Sequence, residues 1–209
     1  MGETNSPLPK GLMLNLDFQN ITDGLIPSKT LYPLYVPLGK LTTGIVNSRK
    51  SLIINKGQGL DIPHSSLLDP DDSTWVVSIQ LQAMTDGIIL SQGDDQAGYV
   101  IYLKDGIVHA SILSGPTSVT LREQVGRGFG NTLNKRVTIT LKIHKDSASL
   151  VINHNRVALV SLQQPLKGRD HWIRLGSQQS LPAAAIKRNP TATGFGFTGH
   201  ITALKIFRQ

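Results

Sequence analysis

Residues 136–144, RVTITLKIH, alternate apolar and polar side chains almost without a break, so that Val137, Ile139, Leu141 and Ile143 share one face. A strand turns successive side chains to opposite faces, and this period of two predicts a half-buried β-strand. Residues 74–83, TWVVSIQLQA, repeat the pattern, with Trp75, Val77, Ile79 and Leu81 on one face and Val76, Ser78, Gln80 and Gln82 on the other. Further strands are expected in LMLNLDF (12–18), SLIIN (51–55), LDIP, GIILSQ, GYVIYL, GIVHASIL, ASLVIN, RVALVSL, HWIRLGS and FTGHITALKIF (197–207). Turn residues separate them. Lys104-Asp105-Gly106 joins two runs, and Asp-Gly suits a hairpin because both residues tolerate positive φ. Asn153-His154-Asn155 marks a second hairpin. Residues 65–73, SSLLDPDDS, carry turn signals with room for one helical turn. Residues 19–44 read as an extended loop with edge-type prolines in LYPLYVPLG, and residues 178–194 as a long loop or insertion. No segment shows a convincing helical period. About a dozen short strands with regular turn signals predict an all-β sandwich or jelly roll.

The chain has 209 residues with 39% hydrophobic and 17% charged side chains, enough to bury a substantial core. Residues 1–10 are expected to be a frayed tail and 11–209 one domain, without repeat, linker or low-complexity segment. No apolar stretch approaches the ~18 residues of a membrane-spanning helix, so membrane insertion is not expected. MGETNSPLPKGL has neither the basic nor the apolar region of a signal peptide. The absence of cysteine excludes disulfides and thiolate chemistry. A net charge of +7 favours anionic partners such as nucleic acid, an acidic surface or a sulfated or uronic polysaccharide. The basic residues are scattered, with small knots at Lys135-Arg136 and Lys187-Arg188. No basic helix or aromatic-plus-basic motif accompanies them, which ranks nucleic acid low.

The order of the pieces resembles concanavalin A-like jelly rolls of the bacterial laminin-G type. SLIINKGQGLDIPHSSLLDPDDSTWVVSIQLQA resembles that family's opening pattern, and GIILSQGDDQAGYVIYLKDGIVHASI its central meander. ASLVINHNRVALVSL is similar to its LYVDGxLV hairpin, WIRLGSQ to its LxIGG strand, and FTGHITALKIF to its closing FxGxIDDVRIY strand. The resemblance covers most of residues 12–208. It implies a two-sheet antiparallel jelly-roll sandwich, an extracellular or periplasmic setting, and a place within a larger secreted polypeptide. Several positions depart from the pattern. Trp75 stands where the family usually has Phe, and Gln80 where it often has Trp. The hairpin glycine is replaced around His154-Asn155, where Asn155 can accept a left-handed conformation. Thr202 and Ala203 replace an acidic pair that belongs to a structural calcium site in related jelly rolls.

Candidate chemistry is sparse. Glycoside hydrolysis needs two carboxyl groups flanking the bond. The chain has only two glutamates, Glu3 and Glu123, and no Glu-x-Asp-x-x-Glu strand. A polysaccharide lyase needs a Tyr or His base beside a neutraliser. Tyr99, Tyr102 and His109 lie near a loop, yet the Arg-x-Glu-Leu-Arg and Gln-Ile-His motifs of jelly-roll lyases are absent. Asp94 and Asp95, in the rim loop GDDQAG, are candidate calcium ligands, although calcium takes six to eight oxygens. Trp75 and Trp172 are expected in the core. Tyr32, Tyr35 and Phe129 are the candidate exposed aromatics, and Arg122 and Arg127 could grip an anionic sugar. With Tyr99 beside the rim loop, these residues form the expected ligand-binding set. The function expected is non-catalytic binding of a carbohydrate through rim loops. The alternatives are a protein-contacting or packing domain, or a jelly-roll lyase or hydrolase.

Overall fold

The computed structural model describes residues 10–30, 34–46, 48–71, 73–94, 97–123, 131–166, 171–176 and 197–209. They form an all-β fold of antiparallel sheets. The larger sheet has eight strands. Its order runs β14 (Asn155–Ser161), β13 (Ser147–Ile152), β12 (Arg136–His144), β7 (Trp75–Ala83), β16 (Gly199–Arg208), β5 (Arg49–Ile54) and β4 (Thr42–Val46). β1 (Leu12–Leu16) also pairs with β16, beyond the stretch that β5 occupies. The second sheet has six strands, ordered β11 (Thr117–Arg122), β10 (Ile107–Ser114), β9 (Ala97–Lys104), β8 (Gly87–Gly93), β15 (Ile173–Leu175) and β6 (Leu60–Ile62). β2 (Leu25–Pro27) and β3 (Tyr35–Pro37) make a separate pair. Ser66–Leu68 form the one helical turn expected within 65–73, begun by Ser65, whose hydroxyl accepts from the Leu67 amide.

The alternating patterns place the core. Val137, Ile139, Leu141 and Ile143 of β12 are buried against Trp75, Val77, Ile79 and Leu81 of β7. Facing them, Tyr99, Ile101 and Leu103 of β9 and Val108, Ala110 and Ile112 of β10 complete one apolar cluster drawn from both sheets. This is the packing of a sandwich, in which inner-face side chains of two sheets interdigitate. The outward face of the second sheet departs from the simple rule. Ile88, Val100 and Tyr102 form a second buried apolar cluster there, and His109 stacks on Tyr102 with ring centroids 5.0 Å apart.

Turn chemistry follows the sequence at one hairpin and differs at another. Asp105 and Gly106 both take positive φ, 55° and 70°. At the other hairpin the left-handed residues are Asn153 (46°) and His154 (72°), and Asn155 already begins β14. The Asn153 side chain secures that turn by accepting from the Thr138 amide at 2.8 Å.

Four strands had no sequence signal. β4 and β11 are edge strands with mixed exposure, so their side chains do not alternate cleanly. β2 and β3 are three-residue strands carrying Pro27 and Pro37, inside a segment expected to be loop.

Candidate functional site

Trp172 immediately precedes β15. Its neighbour Ile173 is buried and anchors the strand between Gln92 of β8 and Ile62 of β6. Alternation then sends Trp172 and Arg174 to the opposite, outward face. Trp172 is 48% exposed, whereas Trp75 is 1% exposed. The core position expected for Trp172 is therefore corrected. The apolar run WIRL was too short to show which face the tryptophan takes.

Two adjoining depressions share Trp172. The smaller, about 100 Å³, is lined by Ser91, Gln92, Gly93, His171 and Arg174 as well. The larger, about 290 Å³, is formed with Pro37, Lys40, Leu60, Asp61 and Pro63 among others. Backbone geometry shapes both. Gly93 and Gly98 face each other at the end of the β8–β9 hairpin, and neither has room for a Cβ. The end of this hairpin, where Gly93 borders the smaller depression, therefore carries no side chain at these two positions. A turn with Gly39 at φ 61° brings Lys40 to the larger depression. Gly176, at φ 72°, ends β15 where a Cβ would lie 2.7 Å from Ile54 Cγ2.

Polar groups flank the indole in two pairs. Arg174 Nε lies 3.1 Å from Asp61 Oδ1, and the two residues are cross-strand partners. His171 Nε2 lies 3.0 Å from Asp94 Oδ2. Asp94 Oδ1 accepts from the Ala97 amide at 2.8 Å, closing the rim loop. A ring face bordered by fixed donors and acceptors can stack on an apolar sugar face while bonding its hydroxyls.

The expected ligand-binding residues do not converge on one place. Tyr35 is 59% exposed and shares the open face of β3 with Pro37, which lines the larger depression. Arg122 lies at the opposite edge of the second sheet, on β11. There it borders a separate cleft of about 480 Å³ with Thr120, Glu123 and Leu159. Tyr99 must be removed from the set. It is fully buried, and its hydroxyl accepts from Trp75 Nε1 at 3.4 Å. Burial raises its pKa strongly, which keeps the phenol protonated. Tyr32, Arg127, Phe129 and Asp95 lie outside the described residues.

Of the two calcium ligands considered from the sequence, Asp94 lies among the described residues, where it has other partners. Both oxygens of Asp94 are engaged, one by His171 and one by a backbone amide. Among the described residues, no three His, Asp or Glu side chains gather as a ligand set. At the position of the family's acidic pair, the Thr202 hydroxyl donates to Gln80 Oε1 at 3.1 Å, beside an irregularity in the β16–β7 register. Arg136 donates to the same Gln80 oxygen at 2.7 Å. A neutral amide joined to a cation is a poor calcium site.

His109, a candidate lyase base, is also buried. Burial first, then the charges of Arg122 and Lys104, lowers its pKa to about 4, although Asp105 and Asp86 oppose the shift. A neutral imidazole packed against Tyr102 is suited to filling the sheet face.

No family model and no curated protein matches the chain. Solved structures do. Domain 4 of AbnA, a GH43 extracellular arabinanase from Geobacillus stearothermophilus, in complex with arabinotriose, is 14% identical with a TM-score of 0.66, covering 94% of this chain and 92% of that chain. The botulinum neurotoxin serotype G binding domain is 12% identical with a TM-score of 0.66, covering 94% of this chain and 47% of that one. A structure concerning the dependence of botulinum neurotoxin type C cell entry on two ganglioside molecules is 10% identical, with a TM-score of 0.64 and coverages of 94% and 47%. The chain thus spans about half the length of the neurotoxin chains and nearly all of the arabinanase domain. At these identities the likeness is one of fold, and the fold is an antiparallel β-sandwich shared with these structures.

Proposed function

We propose that this protein is a non-catalytic glycan-binding module of laminin-G-like type, working within a larger extracellular polypeptide, with residues 11–209 as one domain. The observation that carries the reading is Trp172, half exposed between two depressions and flanked by the Arg174–Asp61 and His171–Asp94 pairs. An indole left in water on an otherwise well-packed sheet has a large apolar face available for a ligand. Two of the similar structures support the same direction: one contains arabinotriose and one concerns gangliosides. This support is an analogy of fold.

The test is retention on immobilised polysaccharides, neutral, uronic and sulfated, compared with a Trp172→Ala variant. Saturable retention that disappears in the variant, with an unchanged melting curve, is the expected result. Retention equal in both proteins would remove Trp172 from the site. No retention on any support would count against a glycan ligand altogether.

A second reading is a protein-contacting domain. It is favoured by Leu159, 59% exposed beside the cleft between the edge strands β11 and β14. An apolar side chain at such an edge suits a partner's extended segment.

A further inference from the structure

We propose that the Trp172 groove selects neutral glycans over uronic or sulfated ones, with Asp61 and Asp94 as the specificity-determining residues. The proposal rests on the glycan-binding reading above. The net charge of +7 points the other way, toward an anionic ligand, but it belongs to the whole molecule. Around Trp172, the described charged side chains lining or bordering the two depressions are Lys40, Arg174, Asp61 and Asp94, with His171 beside them. Two cations therefore meet two carboxylates.

Position strengthens the balance. Asp61 and Arg174 are direct partners across the β6–β15 pairing, so the strand register holds the carboxylate beside the guanidinium. Asp94 is held by the Ala97 amide and by His171. An anionic sugar approaching Arg174 would have to displace Asp61 and would face a second carboxylate at Asp94. Like charges placed together at a binding surface reject a partner more strongly than they weaken the correct one.

A neutral sugar meets no such conflict. A carboxylate only accepts hydrogen bonds and a guanidinium only donates them. A vicinal diol does both, so it can donate a hydroxyl proton to Asp61 and accept an N–H from Arg174 while its apolar face lies on Trp172. Asp61 and Arg174 side chains are 46% and 23% exposed, and such surface pairs add little stability. Removing one partner should therefore change selection more than folding.

The experiment titrates the full chain, by calorimetry at low and high salt, with neutral trisaccharides (arabinotriose, xylotriose and cellotriose) and with trigalacturonate. The same titrations are run on Trp172→Ala, Asp61→Asn and Asp94→Asn. The wild type is expected to bind a neutral trisaccharide through Trp172, with little effect of salt. Asp61→Asn should weaken that binding and improve trigalacturonate binding by roughly tenfold, in a salt-sensitive way. Asp94→Asn should shift selection in the same direction. Trp172-dependent binding of trigalacturonate by the wild type, in preference to every neutral sugar, would overturn the selectivity while leaving the glycan reading intact. Unchanged selection in both Asn variants would overturn the assigned roles. Absence of Trp172-dependent binding to every trisaccharide would overturn both readings.

Discussion

Trp75 and Trp172 show how differently one side chain can be used in this fold. The Trp75 ring is enclosed, its Nε1 donates to Tyr99, and the Arg208 guanidinium lies 5.9 Å above the ring. Arg208 in turn donates to the Asp69 carbonyl at 2.8 Å and lies 3.3 Å from Asp71, tying the last strand to the loop that precedes β7. Truncating Trp75 to Ala should cost about 3–5 kcal/mol, because a large buried ring leaves a cavity. Tyr99→Phe should cost about 1 kcal/mol by leaving the indole N–H without its acceptor. Trp172→Ala should change stability by less than about 0.5 kcal/mol. Urea denaturation of the three variants checks this ranking, and a large loss in Trp172→Ala would mean that the exposed ring is structural.

At the scale of elements, the hairpins carry the sharpest constraints. Gly98 faces Gly93 across the β8–β9 ladder, and a Cβ on Gly98 would stand 2.3 Å from the Gln92 carbonyl oxygen. Gly98→Ala should cost about 1–3 kcal/mol and distort the surface beside Trp172, so stability and any glycan affinity should fall together. The β13–β14 hairpin has the opposite opportunity. His154 sits at φ 72°, a conformation that costs a residue with a Cβ more than it costs glycine. His154→Gly should raise stability by about 0.5–1 kcal/mol, after the greater entropy of unfolded glycine is subtracted. A drop in melting temperature would show that His154 makes a contact worth more than the strain.

For the whole molecule, the last strand and the buried imidazole govern behaviour. β16 lies between β7 on one side and β1 and β5 on the other. A chain ending before Gly199 should not reach the native state, since three strands lose their pairing partner. A cooperative melt of that truncated chain would contradict this. Stability should also fall as pH drops. His109 has its pKa lowered to about 4, against an ordinary value near 6.5, so the folded state favours its neutral form. That contribution is complete above pH ~6.5 and is lost progressively as the pH falls toward about 4. The carboxylate of Asp17 acts lower. Burial alone would raise its pKa, but hydrogen bonds from Lys29, Asn20 and the Gln19 amide hold it below the usual value. Its stabilisation is lost only as the pH falls below the ordinary Asp range. Urea titrations between pH ~7 and ~4.5 should show a slope for the wild type that is markedly flatter in His109→Gln. Equal slopes would assign the acid sensitivity to other groups.

By itself, the sequence determined the class of fold and the inward faces of its main strands. Those properties depend on local alternation, and RVTITLKIH or TWVVSIQLQA displays it within nine or ten residues. The Asp105-Gly106 turn was equally legible, since positive φ at both positions restricts the residues that fit. Edge strands such as β4 and β11 were not legible, because a strand with one open side and mixed exposure has no strict alternation to display. Tertiary structure alone decided the candidate site. Trp172, Asp61, Lys40 and Asp94 are far apart in the chain and meet because β15 inserts between β8 and β6. Composition placed +7 on the molecule, but only register and loop closure could pair Asp61 with Arg174 and Asp94 with His171. Tyr99 was misplaced for the same reason: a residue next to a loop in sequence can face the core, and the phase of the strand decides which.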